Sequence, residues 1–246
     1  MQLLAHRGLT SAGNPENTAA AVAAARRAGA DGCEVDLRLA ADGVLLTSHD
    51  DALARVAGSP LRVSTSASAA LRAVQLPGGT RLARLAEVVE AVDGGRLVLE
   101  LKRPPAGPPE RTALALAGEL RSLRRGGRTL DVTVSSFSPR LVGAVRAQRL
   151  PVRTALLGER GVDPRRVVAQ ARATGHDEVH PHVDALLADL SALEAAAGLA
   201  VVPWTANDPD AVCRLADAGV GTVITDVPVL LAGVLAQHTA PEAALR

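Results

Sequence analysis

Short runs of Val, Leu and Ile alternate along the chain with Ala-, Leu- and Arg-rich segments of helical period. Strand, helix and strand in succession is the signature of a parallel sheet, because parallel neighbours need a crossover between them. The pattern predicts strands at 2–5, 33–38, 44–48, 97–101, 131–135, 152–157, 178–181, 200–204 and 222–225. It predicts helices at 15–28, 84–92, 109–124, 139–148, 163–174, 188–197, 208–218 and 228–236. Asn14-Pro15 reads as an N-cap followed by proline at the first helical position, and Gly29, Gly175, Gly198 and Gly219 fall where helices should stop. About eight strand–helix units fit a closed (β/α)8 TIM barrel better than an open doubly wound sheet. The first strand–helix turn also lacks the G-x-G-x-x-G of the open fold.

Residues 52–82 break the alternation with Ser, Gly and Pro, which predicts a small excursion after the HDD at 49–51, with one short helix. KRPPAGPPE at 102–110 reads as a stiff loop rather than a linker, so residues 1–246 are expected to form one barrel domain. A formal net charge of +1 with no block of one sign argues against a nucleic-acid surface. No apolar run approaches a membrane span and the N-terminus has no secretory pattern, so no stable membrane insertion is expected and a cytoplasmic location follows. Cys33 and Cys213 lack metal-ligand spacing and are expected to be buried, reduced thiols. Nothing in the helices marks a symmetric interface, so no oligomeric state is expected from the sequence.

In a parallel barrel the C-terminal strand ends share one mouth, so polar residues repeated there converge in space. LLAHR ends in His6 and Arg7, CEVDLRL carries Glu34 and Asp36, VLLTSHD ends in His49 and Asp50, and LVLELK carries Glu100 and Lys102. Alternation puts Glu34 with Asp36, and Glu100 with Lys102, on one face. Three carboxylates in one mouth repel unless neutralised, and a hard divalent cation with oxygen ligands does that economically. Ion pairing with Arg7 and Lys102 is the alternative. Of the 27 Lys and Arg residues only Lys102 is a lysine, as a site needing a compact ammonium would require. His6 and His49 beside these groups suit the base and acid of phosphoryl chemistry, with Arg7 and Lys102 holding phosphate oxygens. His176 and His238 read as surface positions, and His180 and His182 as structural or peripheral. Glu16 reads as a helix-dipole partner or a hydrogen-bond partner of His6 or Arg7. Asn207 and Asp226 read as loop organisers.

HRG at 6–8, PENT at 15–18, EVD at 34–36, DG at 42–43, HDD at 49–51 and ELK at 100–102 resemble the motif series of the glycerophosphodiester phosphodiesterase family. SSFSP at 135–139, PWTAND at 203–208 and ITDVP at 224–228 are similar to its later segments, although no acid follows Phe137, which leaves Ser138 without a role. The resemblance implies a TIM barrel and metal-dependent hydrolysis of a small-molecule glycerophosphodiester to glycerol 3-phosphate and an alcohol. It implies His6 and His49 as the acid/base pair, and Glu34, Asp36 and Glu100 as ligands of Mg²⁺ or Ca²⁺. Arg7, Glu16 and Lys102 then bind or orient the phosphate, and residues 52–82 form one wall of the site. Trp204 and Phe137 match motif positions, either as substrate contacts or as packing of the rim. A lysophospholipase D-like activity is the rival reaction, and a phosphodiester-binding barrel without turnover the rival class.

Overall fold

The computed structural model describes residues 1–10 and 13–238; residues 11–12 and 239–246 of the expected 1–246 domain lie outside it. The strands are β1 (Gln2–His6), β2 (Gly32–Leu39), β3 (Leu45–Thr47), β4 (Arg96–Leu101), β5 (Val132–Ser136), β6 (Arg153–Leu157), β7 (Glu178–His180), β8 (Ala200–Val201) and β9 (Thr222–Thr225). The helices are α1 (Ala19–Arg27), α2 (Ala54–Ala57), α3 (Ser68–Ala73), α4 (Leu85–Val92), α5 (Pro109–Arg125), α6 (Pro139–Ala147), α7 (Pro164–Ala173), α8 (Val183–Ala188), α9 (Ala192–Ala195), α10 (Pro209–Asp217) and α11 (Pro228–His238). Parallel pairing runs β8-β7-β6-β5-β4-β2-β1-β9. The seam between β8 and β9 is drawn together just past β8, where Ile224 N donates to Pro203 O at 3.0 Å and Ala206 N to Ile224 O at 2.9 Å. The result is a nearly closed (β/α)8 barrel.

Strand alternation sorts the side chains into two sets. Cys33, Val35, Leu37, Leu97, Leu99, Leu101, Val132 and Val134 face outward into the core shared with α1, α4, α5 and α6. Inward-facing residues stack in layers. The floor is polar and built from strand starts: Arg96 donates to both Glu178 oxygens at 2.8 and 2.7 Å and to Thr222 Oγ1 at 3.1 Å, and Arg153 Nε lies 2.7 Å from Glu178. Above it lie Leu4, Val98, Val202 and Ile224. The carboxylates come next, at the mouth. Gly32 is required where β2 meets β4, since a Cβ there would lie 1.9 Å from Arg96 O.

Burial pushes the Glu178 carboxyl up, but its bonds from His180, Arg96 and Thr133 outweigh that and hold it at about 2. A carboxyl depressed on folding contributes stability that is present above its unfolded pKa and lost as pH falls toward the folded one. Glu178→Gln should therefore cost roughly 3 kcal/mol at neutral pH, about 5–10 °C in Tm, leaving Arg96 without its carboxylate while Arg153 keeps Asp131. Thermal melts between pH 3 and 7 check this. The variant's Tm should fall less steeply with acid than the parent's, and parallel slopes would refute the assignment.

Several expectations are corrected. The 44–48 strand is not a barrel stave: β3 folds back antiparallel on β2 through the Asp42-Gly43 turn, pairing Leu37 with Thr47 and Leu39 with Leu45. The first helix starts at Ala19 rather than 15, capped by Thr18, whose Oγ1 accepts from Ala21 N at 3.1 Å. Asn17, at φ 59°, stands in the left-handed region and cannot continue a helix backward. The 188–197 helix is instead α8 and α9, split where Asp189 leaves helical geometry and accepts from Ser191 N at 3.1 Å. The 52–82 segment holds α2, α3 and two single-turn 3₁₀ helices instead of one short helix. It folds over its own apolar cluster of Leu53, Val63, Leu71, Leu76 and Leu82, with Leu46 of β3. His176 is buried against Thr154 rather than exposed, and Cys213 is only half-buried while Cys33 is fully buried. Among the described residues no helix is long and apolar enough to cross a membrane.

Candidate active site

Glu34 and Asp36 project inward from β2, and Glu100 from the end of β4, where Asp36 and Glu100 are in register. Each offers an oxygen within 4.8 Å of the others, and all three side chains are buried. That separation matches the ~4–5 Å between oxygens facing each other across a Mg²⁺ or Ca²⁺ ion. Lys102 follows Glu100 on the same face, with Nζ 2.7 Å from Asp36 Oδ1 and 2.5 Å from Glu100 Oε1, while Arg7 Nε lies 3.2 Å from Asp36 Oδ2. Both pairings weighed from the sequence are thus present, yet Glu34 Oε1 is buried with no hydrogen-bond partner. Burial and Asp36 push the Glu34 and Glu100 carboxyls up, whereas Lys102 and Arg7 overcome burial to hold Asp36 down. An orphaned buried oxygen in an all-oxygen donor set fits a hard cation.

Two left-handed residues other than glycine, Arg7 and Asn17, frame this cluster. Arg7, at φ 58°, turns the chain off β1 so that its N–H reaches the Glu34 carboxylate at 3.2 Å. Gly8 follows at φ 83°, where a Cβ would come within 2.6 Å of the Ala21 backbone. Asn17 donates to Asp36 Oδ2 at 2.7 Å and accepts from Asp36 N at 2.9 Å. Non-glycine residues in this region carry a cost of order 1–3 kcal/mol, tolerated where surrounding structure over-determines them.

His6 and His49 are each held through Nδ1 by a carboxylate, Asp226 at 2.7 Å and Asp50 at 2.8 Å. A carboxylate only accepts, so both Nδ1 atoms carry the proton in that contact, and Nε2 is left for the site. His6 Nε2 lies 3.9 Å from Glu34 Oε2. Burial opposes protonation of His6, but Asp226 and Glu34 prevail and raise its pKa; burial lowers that of His49, with Lys102 and Arg7 adding to it. The two shifts run in opposite directions, His6 toward its protonated form and His49 toward its neutral one. The hairpin explains how His49 arrives: β2 runs on past Asp36 and β3 returns antiparallel beside it, bringing Ser48 N to Asp36 O at 3.1 Å.

Sequence reasoning named Asp50 and Asp226 without assigning them the task of holding these histidines. Asp226 also accepts from Asn207 Nδ2 at 2.7 Å; Asn207 organises that loop by accepting from Thr225 Oγ1 and Asp226 N, while Asp226 in addition holds His6. The period-two rule could have found it, because Asp226 continues the inward set of Thr222 and Ile224. Arg55 of α2 donates to Asp50 at 2.5 Å and forks onto Glu16 at 2.9 and 2.6 Å, and Glu16 accepts from Arg7 at 3.2 Å. Glu16 is thus a hydrogen-bond partner of Arg7, in a turn rather than in a helix. Ser138 caps α6, accepting from Leu141 N. Trp204 packs edge-on to Phe137 at 5.4 Å, and both line an inner chamber of about 80 Å³ together with His6, Arg7, His49 and Lys102. His180 also lines that chamber, bonded to Glu178 at 3.0 Å, and His182 packs edge-on to Trp204 at 5.1 Å.

Residues 6–230 match the model of the Glycerophosphoryl diester phosphodiesterase family. The chain is 31% identical to "Probable glycerophosphodiester phosphodiesterase 1" of Mycobacterium tuberculosis, covering 92% of this chain and 89% of that one. It is 29% identical to the glycerophosphodiester phosphodiesterase of Caldanaerobacter subterraneus, covering 93% and 95%. Among solved structures, an Oleispira antarctica phosphodiesterase in complex with the product sn-glycerol-3-phosphate superposes with a TM-score of 0.84 at 25% identity, covering 96% and 97%. A Parabacteroides distasonis glycerophosphodiester phosphodiesterase shares the fold with a TM-score of 0.83 at 23% identity, covering 97% and 98%. A match that begins at the histidine ending β1 and runs into the last helix takes in every barrel residue placed around the mouth, and the chain belongs to the glycerophosphoryl diester phosphodiesterase family.

Proposed function

We propose that the protein hydrolyses glycerophosphodiesters to glycerol 3-phosphate and an alcohol, with His6 and His49 as the acid/base pair. The observation that carries the mechanism is the carboxylate-held pair of imidazoles lining one chamber with Arg7, Lys102, Glu34 and Glu100, against the three-carboxylate cluster that Asp36 completes. Glu34, Asp36 and Glu100 would hold a divalent cation, Mg²⁺ or Ca²⁺, which when bound supplies charge neutralisation and Lewis acidity at the phosphate. Arg7 binds phosphate oxygens as a fork and Lys102 as a point charge, while Glu16 orients Arg7. Trp204 gives the glycerol an apolar wall. One imidazole takes a proton from the attacking oxygen; the other gives one to the headgroup oxygen as its bond to phosphorus breaks. Net, one water is consumed and the two products leave.

Supporting this reading are the family membership and the neighbour bound to sn-glycerol-3-phosphate. Its test is release of glycerol 3-phosphate from glycerophosphocholine and glycerophosphoethanolamine, with EDTA and after restoring Mg²⁺ or Ca²⁺. Metal-restored release is expected. Headgroup release from a lysophospholipid alone, leaving lysophosphatidate, would move the enzyme to the rival reaction, and turnover unchanged in EDTA would remove the cation.

A further inference from the structure

A second cavity, of about 790 Å³, opens outside the inner chamber and meets it at His49, Glu100, Lys102 and Phe137. The loop after β4 and the first turn of α6 wall it, and Arg38, Arg103 and Arg140 line it. Arg38 follows Glu34 and Asp36 on the inward face of β2, and its Nε donates to the His49 carbonyl at 2.9 Å. None of the three arginines forms an ion pair among the described residues. Elsewhere Arg7, Arg55, Arg72, Arg96 and Arg153 are paired with carboxylates. The cavity's own carboxylates are Glu100, already paired with Lys102, and Glu159. Arg38 lies within the field of Asp36, Asp50, Asp51 and Glu100, so the uncompensated positive charge is that of Arg103 and Arg140 on the outer wall.

A glycerophosphodiester has a small glycerol arm and a headgroup arm of variable size. The inner chamber is about a tenth the volume of the outer cavity, so the larger arm belongs outside. We infer that the outer cavity selects diesters whose leaving alcohol itself carries a phosphate, held by Arg103 and Arg140 with Arg38 at the junction. This rests on the hydrolysis proposed above. Guanidinium forks match phosphate oxygens in pairs. A quaternary ammonium headgroup would instead meet like charge, with Phe137 as the one aromatic on the wall to receive it.

The test uses a matched pair of substrates, glycerophosphoinositol and glycerophosphoinositol 4-phosphate, with kcat/KM read from glycerol 3-phosphate release. The phosphorylated substrate is expected to be favoured by about tenfold, less so at high salt. In the Arg103→Glu/Arg140→Glu variant, whose two positions are exposed, that ratio should fall at least about thirtyfold. A misfolded variant would lower both substrates together, whereas the ratio reads charge alone. A parent ratio near one, or a ratio the double variant leaves in place, overturns the inference with the reaction intact. Release from neither substrate, with glycerophosphocholine still hydrolysed, overturns this inference alone; release from none of the three overturns the hydrolytic reading with it.

Discussion

Alanine at either His6 or His49 is expected to lower kcat by about 10²–10⁴-fold with little change in KM, because each supplies proton transfer in the transition state rather than ground-state binding. The double variant should be scarcely slower than the singles, since a base without its acid partner has little left to assist. Asp226→Asn separates holding from reacting. Asparagine can still meet His6 Nδ1, at 2.7 Å in the parent, but it removes the charge and the obligate acceptor. Its kcat should fall by less than that of His6→Ala, again with KM held. Steady-state kinetics on metal-loaded protein decide the matter. A single histidine variant within about threefold of the parent would end that residue's assignment.

The second large effect is expected at Glu34. Glutamine keeps the shape and can still accept from Arg7 N, but removes one charge from a cluster in which Glu34 Oε1 has no partner. Affinity for Mg²⁺ or Ca²⁺ should drop by at least about a hundredfold, and turnover with it. In EDTA the variant should melt no lower than the parent, because a buried, repelled carboxylate is a cost to the metal-free fold. Cation at a hundredfold over Kd would stabilise the parent by about 2.7 kcal/mol and the variant far less. Thermal melts with and without cation, beside titration calorimetry, read both halves. A variant that keeps the full metal-induced shift would sink the ligand set.

Much of this site was legible because a barrel turns a linear rule into a spatial one. Once β1, β2 and β4 are read as staves, period two selects His6, Glu34, Asp36, Glu100 and Lys102. His49 was found by the same rule on a wrong premise. Its strand is a hairpin leg, and it reaches the mouth because an antiparallel return brings it back down. Local pattern does not distinguish a short stave from a returning leg of equal length and hydrophobicity. The supports were hidden for another reason: Asp226 and His6 are 220 residues apart, and only closure of the barrel joins them. Arg55 lay in the one segment without clear periodicity. Asn17 was missed because its left-handed backbone interrupts what reads as a uniform Ala-rich helix.

A floor sealed by Arg96, Glu178 and Arg153 under a layer of Leu4, Val98, Val202 and Ile224 leaves the barrel with one way in and out. It is a blind well, and order of filling sets order of emptying. With the glycerol arm seated deepest, as inferred above, it sits behind the headgroup, so the alcohol departs first and glycerol 3-phosphate last. The last product out competes directly with incoming diester, and such an enzyme slows as its own product accumulates unless another reaction draws that product away.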